Sequence, residues 1–120
     1  MESDKVKIVV ADDNPGIRQT FEDLLSDEGY QVKTVGNGYQ LLEYLREDSA
    51  DLVILDLMMP EKDGLETISV LRSIAPDTKI IVYTAFGRYE NSLYAKEADR
   101  FLLKTESPEK VLGSIKDLIK

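Results

Sequence analysis

Asp12-Asp13, Asp56, Thr84 and Lys104 each stand at the carboxyl end of a short apolar run. Asp56 is the hardest of them to explain as packing. Leu52-Val53-Ile54-Leu55 leads into it and Leu57-Met58-Met59-Pro60 follows. A run this apolar is expected to be a strand buried on both faces, as in a parallel sheet. A carboxylate ending such a strand is costly to desolvate unless a cation or donors meet it. Three carboxylates and one lysine leave two negative charges, which one divalent ion would balance. An all-oxygen donor set favours Mg²⁺ or a similar hard ion that keeps several waters. Asp13 and Asp56 are the expected direct ligands and Asp12 is expected to act through water. A backbone carbonyl from the turn after Asp56 would complete the protein's share.

Each group alone has a plainer explanation. An acid pair before a helix is often a cap. A lysine after a strand is usually solvated, and a threonine in a strand suits β structure. Asp56 resists this treatment, because Asp is depleted in strands. The joint pattern carries the argument: several strand ends would have to supply matching groups by accident.

The elements that must position these groups follow from apolar periodicity. Val6 to Ala11, Val32 to Val35, Leu52 to Asp56, Lys79 to Thr84 and Phe101 to Leu103 are expected strands. The second is short and alternating, as an edge strand would be. Helices are expected after Asn14-Pro15, after Asn37-Gly38, from Leu65 to Arg72, over 88–96, and after Ser107-Pro108. Asn14 and Ser107 are expected caps, and Gly29 the glycine that closes the first helix. Asp63-Gly64 marks a turn. Five strands alternating with five helices form a βαβ series, hence an α/β, doubly wound parallel sheet. In such a sheet a site forms at the carboxyl ends of the strands. No internal repeat or interdomain linker divides the chain, so residues 1–120 are expected to be one domain.

Composition excludes several functions. With no histidine and no cysteine, Ser-His-Asp and Cys-His triads, His-ligated zinc and disulfides are ruled out. The net charge of −8 argues against direct nucleic-acid binding. No apolar stretch approaches the roughly 20 residues that span a bilayer, and no basic, apolar leader opens the chain. A cytoplasmic location, with no membrane association, is the expectation.

Together, Val10-Ala11-Asp12-Asp13-Asn14, Asp56-Leu57-Met58-Met59-Pro60 with Asp63-Gly64, Thr84-Ala85 and Lys104 resemble the receiver domain of bacterial two-component response regulators. The likeness runs over essentially the whole chain. It implies a flavodoxin-like fold with strand order 2-1-3-4-5. It further implies that Asp56 accepts a phosphoryl group from a phosphohistidine on a sensor histidine kinase or phosphotransfer protein. Mg²⁺ would sit among Asp12, Asp13, Asp56 and the Met58 carbonyl, Lys104 would pair with a phosphoryl oxygen, and the Thr84 hydroxyl would take another. Inward movement of Thr84 would leave space for Phe101, and the two would form the switch to an output surface. Such a domain is not an enzyme beyond its own phosphorylation and dephosphorylation. Its expected partners are the kinase and a downstream effector or output domain, and a phosphorylation-dependent dimer is left open. Arg88, Tyr89, Tyr94, Lys96 and Arg100 are candidates for the output surface.

The sequence departs from the family pattern in places. Thr105, not proline, follows Lys104, and the stretch from Phe101 to Glu109 looks more like receivers of LuxR-type regulators. Glu97-Ala98-Asp99 replaces the usual Gly-Ala-Asp, and Phe101 stands where tyrosine is common. Two rivals fit less well. A haloacid dehalogenase-type hydrolase would need a second acid at Met58, and a flavin or nucleotide binder would need a hydroxyl- or glycine-rich phosphate loop after the first strand. All the receiver residues are present, which disfavours a degenerate receiver acting only by contact. Met58 and Phe86 are expected to flank the acyl phosphate, where two bulky apolar groups cannot orient a water. Met58→Asn and Phe86→Lys should each hasten phosphate loss several-fold after loading from a small donor; unchanged decay in both would rule out shielding.

Overall fold

A computed structural model of the chain describes residues 5–57, 64–85, 87 and 95–119. The sheet strands are β1 (Lys7–Ala11), β2 (Gln31–Val35), β3 (Leu52–Leu55), β4 (Lys79–Thr84) and β5 (Arg100–Leu103). They form one parallel sheet in the order β2-β1-β3-β4-β5. The described helices are α1 (Pro15–Asp27), α2 (Gly38–Glu47), α3 (Gly64–Ile74) and α4 (Pro108–Leu118).

Central strands carry runs of apolar side chains because both their faces are covered. Alternate residues of β1 divide between two cores. Val9 and Ala11 join Leu41, Leu45, Ile68 and Leu71, from α2 and α3. Ile8 and Val10 join Phe21, Leu25, Val111 and Ile115, from α1 and α4. The sheet is thus doubly wound, as the alternating elements require. β2 is an edge strand, and its exposed Gln31 and Lys33 fit that position.

The helix punctuation is largely as expected. The Asn14 side chain accepts the N–H groups of Gly16 and Ile17, with Pro15 at the first helical position. Asn37 caps α2 through the Gln40 N–H. Gly29 has φ +89, the left-handed conformation that closes a helix and that L side chains rarely adopt. Ser107 occupies the cap position of α4, but its side chain makes no capping bond; its carbonyl accepts the Lys110 N–H.

The described residues contain four α-helices, not the five expected. The fifth is expected over 88–96, of which 88–94 lie outside the described residues. Ala95–Glu97 form a short 3-10 turn instead of an α-helical end. Arg72 anchors this turn to α3. Its Nε and Nη2 donate to the Glu97 carbonyl at 3.2 and 2.8 Å, holding the turn open towards α3. Nη2 also meets the Asp99 carboxylate at 2.8 Å, and Nη1 meets the Thr78 carbonyl at 2.8 Å. Asp99 accepts the Ile80 N–H as well. This clip lets Glu97-Ala98-Asp99 turn into β5 without a glycine.

Burial opposes charge on Asp99, but the Ile80 N–H and Arg72 outweigh it and hold the carboxyl below the usual range. A carboxyl depressed in the folded state stabilises above its unfolded value, about 3.9, and loses that contribution as pH falls through the folded value. Arg72→Met should therefore cost about 2 kcal/mol in urea unfolding at pH 7. The gap between parent and Asp99→Asn should narrow as pH is lowered from about 5 to 3.

Candidate functional site

The sheet brings the acid pair and Asp56 together through register. β1 and β3 pair with Ala11 opposite Leu55, so Asp12 and Asp56 leave adjacent strands side by side. The ladder continues one step past the strands, the Asp56 N–H donating to the Ala11 carbonyl at 3.0 Å. The strand order reverses at this point, since β2 lies on one side of β1 and β3 on the other. Crevices at such switch points are where open α/β sheets place their sites.

Lys104 arrives from the other direction. Thr84 pairs with Leu103 at the end of β4 and β5, and the Lys104 N–H donates to the Thr84 carbonyl at 2.8 Å. From there the Lys104 Nζ reaches the Asp12 Oδ2 at 2.8 Å and the Asp56 Oδ2 at 2.9 Å. Asp12 and Asp56 are 2% and 5% exposed and Thr84 is fully buried. One ammonium thus bridges two buried carboxylates, which water alone could not solvate at this depth.

Asp13 is exposed, and carboxylate oxygens of Asp12, Asp13 and Asp56 lie within 4.8 Å of one another. The pair does not cap α1, because Asn14 does. Asp12 instead shapes the turn: its Oδ1 accepts the Asn14 N–H at 2.9 Å, and its carbonyl accepts Arg18 Nη1 at 2.7 Å. Burial pushes the Asp12 carboxyl above the usual range, against the bonds from Lys104 and Asn14, and the neighbouring Asp56 adds to the rise. For Lys104, burial opposes the charge, but its bonds to Asp12 and Asp56 prevail and hold the ammonium above the usual lysine range. Two carboxylates thus stabilise the lysine's charge, while at Asp12 the cost of burial dominates.

Phe101 pairs with Val82 across the β4–β5 ladder and is partly buried against the α2/α3 core. Met58 and Phe86 lie outside the described residues, as do Arg88, Tyr89 and Tyr94. Lys96 and Arg100 are exposed. Sequence reasoning missed Arg18, whose place one turn into α1 was its only signal. It also missed Tyr83, whose hydroxyl donates to the Glu106 carbonyl beside Lys104 at 2.7 Å.

The model of the response regulator receiver domain matches residues 8–116. The chain belongs to the response regulator receiver domain family. Among curated relatives, a probable transcriptional regulator ycf27 of Porphyra purpurea is 36% identical over the whole chain and half of that relative. The response regulator MprA of Mycolicibacterium vanbaalenii is 34% identical over 96% of the chain and 51% of its own length. The receiver chain spans about half the length of the curated relatives it matches. Among solved structures, the regulator TrrA of Thermotoga maritima in complex with Mg²⁺-BeF is 35% identical, with TM-score 0.88 over 94% of this chain and 98% of that one. A chain from the structure of histidine kinase ThkA in complex with TrrA is 34% identical, with TM-score 0.87 over 96% and 99%. No helix among the described residues is long and apolar enough to cross a membrane.

Removing the bridging cation should leave two buried carboxylates facing each other. Lys104→Met should cost about 3 kcal/mol in chemical unfolding. Adding Asp56→Asn should restore part of that loss, because it removes one of the two facing charges.

Proposed function

We propose that this receiver domain is a phosphoacceptor whose acylated residue is Asp56. The observation that carries this reading is the Lys104 ammonium bonded to both Asp12 and Asp56 at the switch point of the sheet. A carboxylate held there is oriented, stripped of most water and next to a cation that can follow charge onto a phosphoryl group. Phosphoryl transfer asks a protein mainly for positioning and charge neutralisation.

An Asp56 carboxylate oxygen attacks phosphorus and forms an O–P bond. The P–N bond of a phosphohistidine whose ring is protonated on its other nitrogen breaks, the electron pair stays on the departing nitrogen, and a neutral imidazole leaves. Lys104 moves its ammonium from the carboxylates to a phosphoryl oxygen. The Thr84 hydroxyl takes another oxygen, and Phe101 fills the space that this movement opens. Donor and listener would be a sensor histidine kinase or phosphotransfer protein and a downstream effector or output domain. The domain would act on no substrate but its own phosphate, and would work in the cytoplasm.

The donor set fits a hard divalent cation. It is all oxygen, it is over-supplied with negative charge, and its members lie within 4.8 Å of one another. Asp12, Asp13 and Asp56, with the Met58 carbonyl, would hold Mg²⁺, which supplies neutralisation of the phosphoryl charge. The TrrA structure with Mg²⁺-BeF supports that assignment by likeness, and the ThkA–TrrA complex supports the kinase. The likeness of residues 101–109 to LuxR-type receivers rests on that stretch alone.

Incubation with phosphoramidate or acetyl phosphate and Mg²⁺ should label the parent stoichiometrically and leave Asp56→Asn unlabelled. Label persisting in Asp56→Asn would refute the assignment.

A further inference from the structure

Lys104 is the first inner residue of a tight turn, and two groups outside the acid cluster hold that turn. The Glu106 N–H donates to the Leu103 carbonyl at 2.9 Å. In return, the Leu103 N–H donates to the Glu106 carboxylate at 3.2 Å. Leu103 ends the outer strand of the sheet, so Glu106 supplies the partner that a further strand would otherwise give. On the other side, the Tyr83 hydroxyl donates to the Glu106 carbonyl at 2.7 Å.

Tyr83 is itself closely packed. It is 3% exposed, and its ring meets Phe21 edge to face, with centroids 5.5 Å apart at 85°. A hydroxyl this deep is costly unless it is bonded, so a ring needed only for packing would be better served by phenylalanine. The Leu103 N–H, with help from Lys110, holds the Glu106 carboxyl below the usual range and keeps it an acceptor. Successive residues of β4 thus grip both ends of the turn, the Thr84 carbonyl at the Lys104 N–H and the Tyr83 hydroxyl at Glu106.

We propose that Tyr83 and Glu106 are positioning residues, which fix the Leu103–Glu106 turn and so aim the Lys104 ammonium at Asp12 and Asp56. The role rests on the reading of Asp56 as phosphoacceptor. Thr105 leaves the turn without a proline to stiffen it, and the two bonds to Glu106 supply that stiffness.

Three variants separate aiming from packing. Tyr83→Phe keeps the ring and loses the hydroxyl, Glu106→Ala loses the acceptor, and Glu106→Gln keeps an oxygen for the Leu103 N–H. Each is phosphorylated with phosphoramidate over a range of concentrations. Without donor, NMR follows solvent exchange of the Leu103 amide and the ¹⁵N signal of the Lys104 ammonium. Tyr83→Phe and Glu106→Ala should lower the saturating rate about 10-fold with little change in the half-saturating concentration; a misplacement of ~1 Å can cost ~100-fold. The Leu103 amide should exchange faster in Glu106→Ala, the ammonium signal should broaden in both, and Glu106→Gln should recover most of the rate. Parental rates with an unchanged ammonium signal in Tyr83→Phe and Glu106→Ala would overturn the proposal. So would a rate loss fully matched by a loss of folded protein. If the parent itself takes no phosphate, the reading of Asp56 fails, while the NMR signals still judge the turn.

Discussion

The Lys104 ammonium between the Asp12 and Asp56 carboxylates is the interaction on which the rest of the structure is arranged. Two acids side by side at the buried end of a sheet repel each other and have lost most of their water. Lys104 offsets that cost at 2.8 and 2.9 Å, but only while three strand ends stay in register. Asp12 follows β1, Asp56 follows β3, and Lys104 follows β5, which reaches the others through β4. A slip of one residue in any of these pairings would turn a side chain to the opposite face. The two apolar cores keep that register, because each strand divides its alternate residues between them.

The fold separates stability from chemistry. The centre of the sheet is closed by Val, Ile and Leu, and the carboxyl edge is left to ionisable groups. Even so, the edge is not fully neutral: Asp13 adds a third carboxylate that Lys104 does not reach within salt-bridge distance among the contacts seen. Burial holds the Asp12 carboxyl above its ordinary range in spite of the lysine. Three carboxylates around one lysine make this edge acidic, which a further positive charge would offset.

The entry to β5 and the exit from it are governed by single side chains from elsewhere in the chain. Arg72 of α3 gathers the Glu97 and Thr78 carbonyls and the Asp99 carboxylate at the entry. Tyr83 of β4 holds the Glu106 carbonyl at the exit. Both replace backbone devices, a glycine before the strand and a proline after it, with side-chain hydrogen bonds. Neither was legible beforehand, since an arginine on a helix and a tyrosine in a strand have ordinary reasons to be there. Of the helix expected over 88–96, the described end belongs to the 3-10 turn Ala95–Glu97. The Ser107 side chain makes no cap, although its position is the expected one.

Local sequence was enough for the strands, the helix starts at Asn14 and Asn37, the closing glycine at position 29, and the identity of the acids and the lysine. These rest on local physics: apolar runs that must be buried, side chains that cap, and a backbone conformation that favours glycine. It also allowed strand-end groups to be pooled into one site, because a parallel α/β sheet puts all its carboxyl ends on one edge. Which groups touch depends on the folded arrangement. That Lys104 bonds Asp12 as well as Asp56, that Asp12 braces the Asn14 turn, and that Tyr83 and Arg72 hold the two ends of β5 all depend on contacts between residues distant in sequence. Such contacts are set by register and packing, and no local pattern encodes them.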